Sequence, residues 1–308
     1  MTWWGGLGVE RQAALPPPSL VGAEHTDREV RTTGMQQPMR EASDVGPLRG
    51  EPAISAEVTA VELALCRSAL YEALALGFRP PTAETVTRLL AREAIDALAD
   101  AAAAVDLAWG TALAAAVGRL AGPLSLSRLQ AGFRRLFGHT ARGLVPPYET
   151  EYGEDSPFLP AHEMGDLAGF YRAFGLELRR DAHERPDHVS CQCEFMVVVT
   201  RREAYALEEG HGAAAEATRG AARLFLREHL GRWGPAFGQR LGREDPDGFY
   251  GALGALGRAF LLAECARMGV SPGPATLRLR SASVGNVPMA CAAEPGVEAM
   301  PLASGGAR

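Results

Sequence analysis

An acidic segment with interleaved tyrosines offers the most obvious chemistry in this chain. Residues 148–155 read Tyr-Glu-Thr-Glu-Tyr-Gly-Glu-Asp, so four carboxylates lie within seven residues. Prolines stand on both sides, at 146, 147 and 157, which favours a loop over a helix. Carboxylates accept paired hydrogen bonds from arginine, so the segment is either a solvated acidic loop or an aromatic-lined surface for a cationic peptide. Acid–base hydrolysis by paired carboxylates is a third alternative.

A second polar cluster occupies residues 183–188, which read His-Glu-Arg-Pro-Asp-His. Its two histidines are five residues apart with Pro186 between them, so they cannot share a helix face as zinc-protease histidines do. Cys191 and Cys193 lie two apart on a predicted helix and point in different directions, so we predict no metal site. Asp187 is predicted to be the N-cap of that helix, with His188 facing solvent or a pocket.

Composition excludes several classes of function. All 31 basic residues are arginine, which removes mechanisms that need a lysine, such as Schiff-base chemistry or a P-loop. A net charge of −6 argues against a nucleic-acid or membrane-surface binder and favours a cationic partner. We find no basic and apolar leader and no membrane-length apolar stretch, and the five cysteines have no framework spacing. These features predict a cytoplasmic protein with reduced thiols.

Apolar residues recur at helical spacing through residues 55–270, which predicts a single large all-α domain. Val58, Val61 and Leu65 mark a first helix that ends near Gly77. Thr82 is a predicted N-cap for a run reaching about residue 120, with a break near residue 106. Further helices are predicted over 126–137, 164–174, 189–209, around 224–230 and over 249–260. Residues 1–54 and 271–308 have the composition of disordered tails.

Three blocks of sequence carry a resemblance to a known family. They are Tyr-Glu-Thr-Glu-Tyr-Gly at 148–153, Leu-Ala-Gly-Phe-Tyr-Arg-Ala-Phe-Gly at 167–175, and Glu-Arg-Pro-Asp-His-Val at 184–189 followed by Glu194-Phe195-Met196. Together they resemble the TorD/DmsD/NarJ family of molybdoenzyme-specific chaperones. The first two most resemble the branch that serves type II dimethyl-sulfoxide-reductase-like enzymes, such as ethylbenzene dehydrogenase or selenate reductase. The chain departs from the family at Cys191-Gln-Cys193, where Glu-Leu is more common.

The resemblance implies a TorD-like helical bundle that works as a cytoplasmic chaperone and not as an enzyme. Such proteins bind the twin-arginine signal peptide, or an N-terminal segment, of a molybdopterin oxidoreductase catalytic subunit until its cofactor is inserted. The receptor for such a peptide needs carboxylates beside an apolar groove. The residues expected to bind it are Tyr148, Glu149, Glu151, Tyr152, Pro186, Asp187, His188, Glu194 and Phe195. No cofactor or metal of its own is expected, and a homodimer is compatible because family members can exchange helices.

An all-α enzyme is the alternative hypothesis from the same residues. It would use a carboxylate–histidine cluster of Glu149, Glu151, Asp187 and His188. His188 carries a further expectation in the chaperone hypothesis. With an ordinary pKa near 6.5, it would make peptide binding depend on pH.

Overall fold

Ten α-helices carry the fold in the part of the chain that the computed structural model describes, which confirms the all-α prediction. The described residues are 9–11, 58–122, 124–138, 142–155, 159–178 and 184–281. The helices are α1 (Ala60–Gly77), α2 (Ala83–Thr85), α3 (Arg92–Trp109), α4 (Leu113–Gly118), α5 (Leu126–Phe137), α6 (Leu159–Ala173), α7 (Val189–Glu208), α8 (Gly212–Glu228), α9 (Leu230–Glu244) and α10 (Phe249–Met268). Two short strands, β1 (Val9–Arg11) and β2 (Leu176–Leu178), pair in antiparallel fashion.

Helix α7 lies at the centre of the bundle. It packs against α1 on one side and α8 on another, while α10 packs against α9 and α4. Every residue from 189 to 200 is buried, so the first half of α7 is enclosed on all its faces. The first turn of α7 begins directly after the 184–188 turn, and the core therefore fixes the position of that turn.

The first helix buries a different face from the one that its apolar spacing predicts. Leu65 is 49% exposed, whereas Arg67 and Tyr71 are buried. Thr59 and Glu62 form a capping box that starts the helix, which is the stronger local signal for its N-terminus. The prediction that this helix ends near Gly77 is confirmed, since α1 spans Ala60–Gly77.

The predicted long run from Thr82 to about residue 120 is several elements. Thr82 does cap α2, which a π-helical turn (Val86–Leu90) joins to α3. Helix α3 ends where Gly110 adopts a left-handed φ of 66°. Asp106 then accepts hydrogen bonds from the Leu113 and Ala114 amides at the start of α4, at 2.7 and 2.9 Å. The break predicted near Asp106 is therefore confirmed. Similarly, two helices, α8 and α9, meet at His229 where a single helix was predicted around residues 224–230.

The last helix and the residues after it complete the described structure. Helix α10 is long and apolar enough to cross a membrane by length and composition, but 56% of it is buried. Because it is enclosed by α9, α4 and α1, we interpret it as a core helix. Residues 278–281 bond to the 148–155 loop, and the Gly273 amide donates to the Gly231 carbonyl of α9, although the sequence places this stretch in a tail. The rest of the two predicted tails, apart from β1, lies outside the described residues.

Candidate peptide-binding site

The acidic loop, residues 148–155, lies directly beside the 184–188 turn. A backbone bridge joins Tyr148 to His188. The Glu149 amide donates to the Asp187 carbonyl at 3.0 Å, and the Val189 amide donates to the Pro147 carbonyl at 2.8 Å. Two of the three blocks that carry the family resemblance are thus held together by main-chain hydrogen bonds at the start of α7.

The buried Asp187 side chain links the 184–188 turn to the acidic loop at this junction, and it does not cap α7. Its side chain is fully buried and accepts hydrogen bonds from the Thr150 amide and hydroxyl at 3.2 and 2.7 Å. The Arg185 guanidinium donates to both of its carboxylate oxygens, at 2.8 and 3.0 Å. The N-cap is His188, whose Nδ1 accepts from the Ser190 amide at 3.1 Å. The predicted N-cap was therefore wrong by one residue, because the Asp187 carboxylate bonds Thr150 of the acidic loop instead of the first amides of α7.

His188 stays neutral at physiological pH. Burial lowers its pKa to about 3, and the nearby charges of Arg79 and Arg185 act in the same direction. Its ring packs edge-on against Tyr148, with 5.2 Å between the ring centroids. The expectation that His188 would make binding depend on pH near neutrality was wrong, since it assumed a solvated imidazole.

Glu149 points into the protein, where it meets residues that the sequence did not single out. Its carboxylate oxygens each lie 3.2 Å from His229 Nδ1, and Gln192 Nε2 donates to it at 2.6 Å. Gln192 in turn accepts from the Trp233 indole at 3.1 Å. Burial raises the pKa of Glu149, against the hydrogen bond from His229. No local pattern marks His229, which lies 80 residues from Glu149 in the sequence.

The other expected binding residues are already engaged within the chain. Glu151 pairs with Arg142 at 2.8 Å, and the buried Tyr152 hydroxyl donates to the Pro146 carbonyl at 2.9 Å. Glu194 is buried and pairs with Arg79. Phe195 is a core residue whose ring contacts Phe170, Tyr171, Phe174 and Phe225. The Pro186 carbonyl accepts a hydrogen bond from the Tyr171 hydroxyl at 2.7 Å.

A cleft of about 400 Å³ opens next to the junction, between α5 and the 184–188 turn. Of the nine expected residues, Tyr148 and His188 line it. Its apolar walls come from residues that the sequence did not connect to a site: Pro80, Pro81, Phe133, Phe137 and Pro147. Glu184 contributes a carboxylate at the rim, and Arg185 stacks 4.5 Å above the Tyr148 ring. The cleft therefore combines aromatic and proline surfaces with one carboxylate, Glu184, and one guanidinium, Arg134.

In the described part of the chain, the four residues of the enzyme hypothesis are not assembled into one cluster. Glu149, Glu151 and Asp187 each have a different partner, namely His229, Arg142 and Arg185. The fourth residue of the enzyme hypothesis, His188, is engaged with Ser190. Among the described residues, no group of three or more His, Cys, Asp or Glu side chains is placed to hold a metal ion. Cys191 and Cys193 are both buried in α7, where burial raises their thiol pKa values.

Comparison with known proteins gives one consistent result. The model of the nitrate reductase delta subunit family matches residues 91–239. The selenate reductase assembly chaperone protein of Thauera selenatis is 34% identical, over 38% of this chain and 72% of that protein. The chlorate reductase assembly chaperone protein of Ideonella dechloratans is 40% identical over 25% of this chain and 39% of its own length. The chaperone protein TorD of Vibrio cholerae is 31% identical over 43% and 59%, respectively.

Proposed function

Because this chain belongs to the nitrate reductase delta subunit family of assembly chaperones, the TorD/DmsD/NarJ group, we propose that it binds the N-terminal segment of a molybdopterin oxidoreductase catalytic subunit. The bound segment is a signal peptide with adjacent arginines followed by apolar residues. The chaperone holds that subunit in the cytoplasm until the molybdopterin cofactor has been inserted. It acts by binding and carries out no reaction of its own.

The observation that carries this proposal is the cleft beside the family-specific junction. A peptide receptor needs an apolar surface that is exposed in a folded monomer, and here prolines and aromatic rings provide one. The cleft is open to solvent while the core around Phe195 is closed. We assign the apolar part of the peptide to the cleft, where it contacts Tyr148, His188 and Phe133.

The polar end of the peptide would meet carboxylates around the acidic loop. Glu184 stands at the cleft rim, and burial raises its pKa against the opposing hydrogen bond from the Arg185 amide. A client guanidinium beside any of the carboxylates around the acidic loop would favour the charged form of that carboxylate. Arginine is preferred over lysine at such a site because its planar fork can bond two acceptors at once.

Peptide titration tests the proposal directly. The probe is a fluorescent peptide with two adjacent arginines and a following apolar stretch, titrated into the full chain. We expect a micromolar or lower Kd, and a Kd about tenfold higher for the matched peptide with two lysines, a difference of about 1.4 kcal/mol. Equal affinity for both peptides would contradict the arginine recognition.

Tyr148→Ala tests the cleft. It removes an aromatic wall and should raise the Kd by about tenfold, within the range of an interface hot spot. Tyr205→Ala is the matched control, because Tyr205 is 62% exposed near the other end of α7. That position lies about 25 Å from His188 at 1.5 Å per residue. If both variants bind the arginine peptide as the natural chain does, the peptide does not use the cleft.

A further inference from the structure

An arginine-containing segment of the chain itself lies along the acidic loop. Residues 277–281, here called the arginine segment, read Leu-Arg-Leu-Arg-Ser. The Arg280 amide donates to the Glu151 carbonyl at 2.8 Å, and the Gly153 amide donates to the Arg278 carbonyl at 2.9 Å. Between them, Tyr152 and Leu279 form an antiparallel bridge. The segment thus adds to the loop as an extended strand, a common way for a protein to bind a peptide.

Both arginines of this segment meet carboxylates. Arg280 is buried, and its Nη1 donates to the Thr150 carbonyl at 2.8 Å and to Glu163 at 3.1 Å. Its Nη2 bonds the second Glu163 oxygen at 3.3 Å. Arg278 lies further out and pairs with Asp155 at 2.9 Å. Asp155 also accepts from the Ser281 amide at 2.8 Å.

The arginine segment is attached to the bundle differently from the helices. It follows the end of α10 at Met268 and belongs to none of the described helices. Its main-chain bonds go to the acidic loop and to the Arg142 guanidinium, which donates to the Arg280 carbonyl at 2.8 Å. Its side-chain contacts are Glu163 of α6, Asp155 of the loop and the packing of Leu277 and Leu279 against the core. Its fit is also incomplete, because the buried Nε of Arg280 has no hydrogen-bond partner among the described residues. The segment can therefore leave without breaking any helical hydrogen bond.

Departure of Arg280 alone would lower the stability of the folded chain, although water that enters the opened groove would reduce the loss. It would leave the buried Glu163 carboxylate and the Thr150 carbonyl without their cation. A second guanidinium entering the same place would restore these contacts. A lysine would restore the charge, but it lacks the planar fork that reaches both acceptors. The groove therefore favours exchange of one arginine peptide for another.

We propose that the groove formed by the acidic loop and Glu163 recognises the arginines of the client peptide, and that the arginine segment occupies this groove as an internal ligand until the client displaces it. The inference rests on the proposed function for the identity of the client. The groove itself is defined by contacts within this chain.

Removal of the internal ligand tests the competition. In the full chain, Arg280→Gln should lower the Kd of the twin-arginine probe peptide by about tenfold, because the competitor is weakened. Arg92→Gln, which removes an exposed arginine from α3, is the control with the same change in charge and should leave the Kd unchanged. An unchanged or higher Kd in a folded Arg280→Gln variant would overturn the inference.

A second measurement uses the chain's own sequence and needs no client. A labelled peptide of residues 276–281 is titrated into the full-length Arg278→Ala/Arg280→Ala variant, with a peptide in which glutamine replaces both arginines as control. We expect the natural peptide to bind at least about tenfold more tightly than the control, and to bind the natural chain more weakly because its groove is filled. Equal binding of both peptides, or no binding, would overturn the inference.

The two measurements separate the inference from the proposed function. If the 276–281 peptide binds the double variant but the twin-arginine probe binds neither chain, the groove is real and the proposed function fails. If the probe binds the natural chain and Arg280→Gln leaves its Kd unchanged, the proposed function stands and the internal ligand is wrong. If the double variant does not fold, displacement of the probe from the natural chain by excess 276–281 peptide decides, and absence of displacement overturns the inference.

Discussion

The protein buries arginine among carboxylates in two places that are built in different ways. In the helical cluster, Arg67 of α1 bonds Glu264 of α10 at 2.7 and 3.0 Å and Glu203 of α7 at 2.7 Å. In the groove, Arg280 bonds Glu163 at 3.1 and 3.3 Å. Every charged partner of the first set stands on a long helix, whereas the arginine of the second comes from the segment after α10.

This difference separates a charge that organises the fold from one that can be exchanged. Arg67 is 1% exposed, and Tyr71 completes its surroundings by donating to Glu264 at 3.0 Å. Moving Arg67 away would require α1 to leave α7 and α10, which means unfolding the bundle. Moving Arg280 away requires residues 277–281 to leave the acidic loop and Leu277 and Leu279 to lose their packing against the core, but every helix can stay in place. Buried charge therefore fixes helix packing in one region and marks a replaceable ligand in the other.

The largest effect is expected for Arg67→Met. It leaves the Glu264 and Glu203 carboxylates buried without their shared cation, so we expect a loss of about 3–5 kcal/mol in the free energy of unfolding. Urea denaturation followed by circular dichroism measures this. Arg280→Gln should cost less than half as much, because its segment can detach and admit water. Equal losses in the free energy of unfolding for the two variants would contradict the difference between the two regions.

A compensating variant sharpens the same test. Arg67→Met combined with Glu264→Leu removes both members of the pair that shares two hydrogen bonds, so most of the lost stability should return. Glu203 keeps Arg219 as a partner at 2.8 Å in that variant. If the double variant were no more stable than Arg67→Met, the loss would come from packing and not from unpaired charge.

An intermediate effect is expected for Asp187→Asn, at the junction between the two regions. The substitution keeps the shape of the side chain but weakens charge-assisted hydrogen bonds from Arg185 and Thr150. We expect a loss of about 1.5–3 kcal/mol in the free energy of unfolding, measured by urea denaturation. Glu151→Gln is the control on the same loop, because its partially exposed pair with Arg142 should contribute less than about 1 kcal/mol.

The sequence predicted what local patterns determine. It predicted the helical class, the cap at Thr82, the break near Asp106 and the position of residues 148–155 outside the α-helices, where residues 149–151 form one 3-10 turn. The family resemblance also pointed to the 148–153 and 184–189 blocks, which the structure places side by side. Each of these features depends on residues close together in the chain or on a recognisable motif.

The features that the sequence did not reveal depend on distant partners. In the sequence, Arg67 looks like an exposed charge, because its partners Glu203 and Glu264 lie 136 and 197 residues away. Glu149 reads as part of an acidic surface because its partner His229 has no local signature. Residues 277–281 read as a tail because their composition is typical of one, while the loop that binds them lies far upstream. Burial of a charge is set by three-dimensional pairing, which a single sequence does not display.

The smallest predicted effect contrasts the pH dependence of two buried carboxylates, one from each region. Burial alone would raise the pKa of Glu264, but attraction to Arg67 and its hydrogen bonds leave that pKa below the usual 4.5. Burial raises the pKa of Glu149 above 4.5 despite the hydrogen bond from His229. The stability that ionised Glu264 contributes is therefore present above pH 4.5 and is lost as the pH falls through its lowered pKa. For Glu149 the sign is opposite, since its contribution is present below pH 4.5 and is lost as the pH rises through its raised pKa.

Two substitutions test the direction in which each carboxylate changes the stability with pH. As the pH falls below 4.5, the stability advantage of the natural chain over Glu264→Gln should shrink. As the pH falls towards 4.5 from above, its advantage over Glu149→Gln should grow. Urea titrations from pH 7 to pH 3.5 measure both differences, with Glu93→Gln on the exposed face of α3 as the baseline. If both stability differences changed with pH in the same direction, Glu149 would be stabilised in its charged form by attraction, as Glu264 is. The two regions would then not differ in how they stabilise a buried carboxylate.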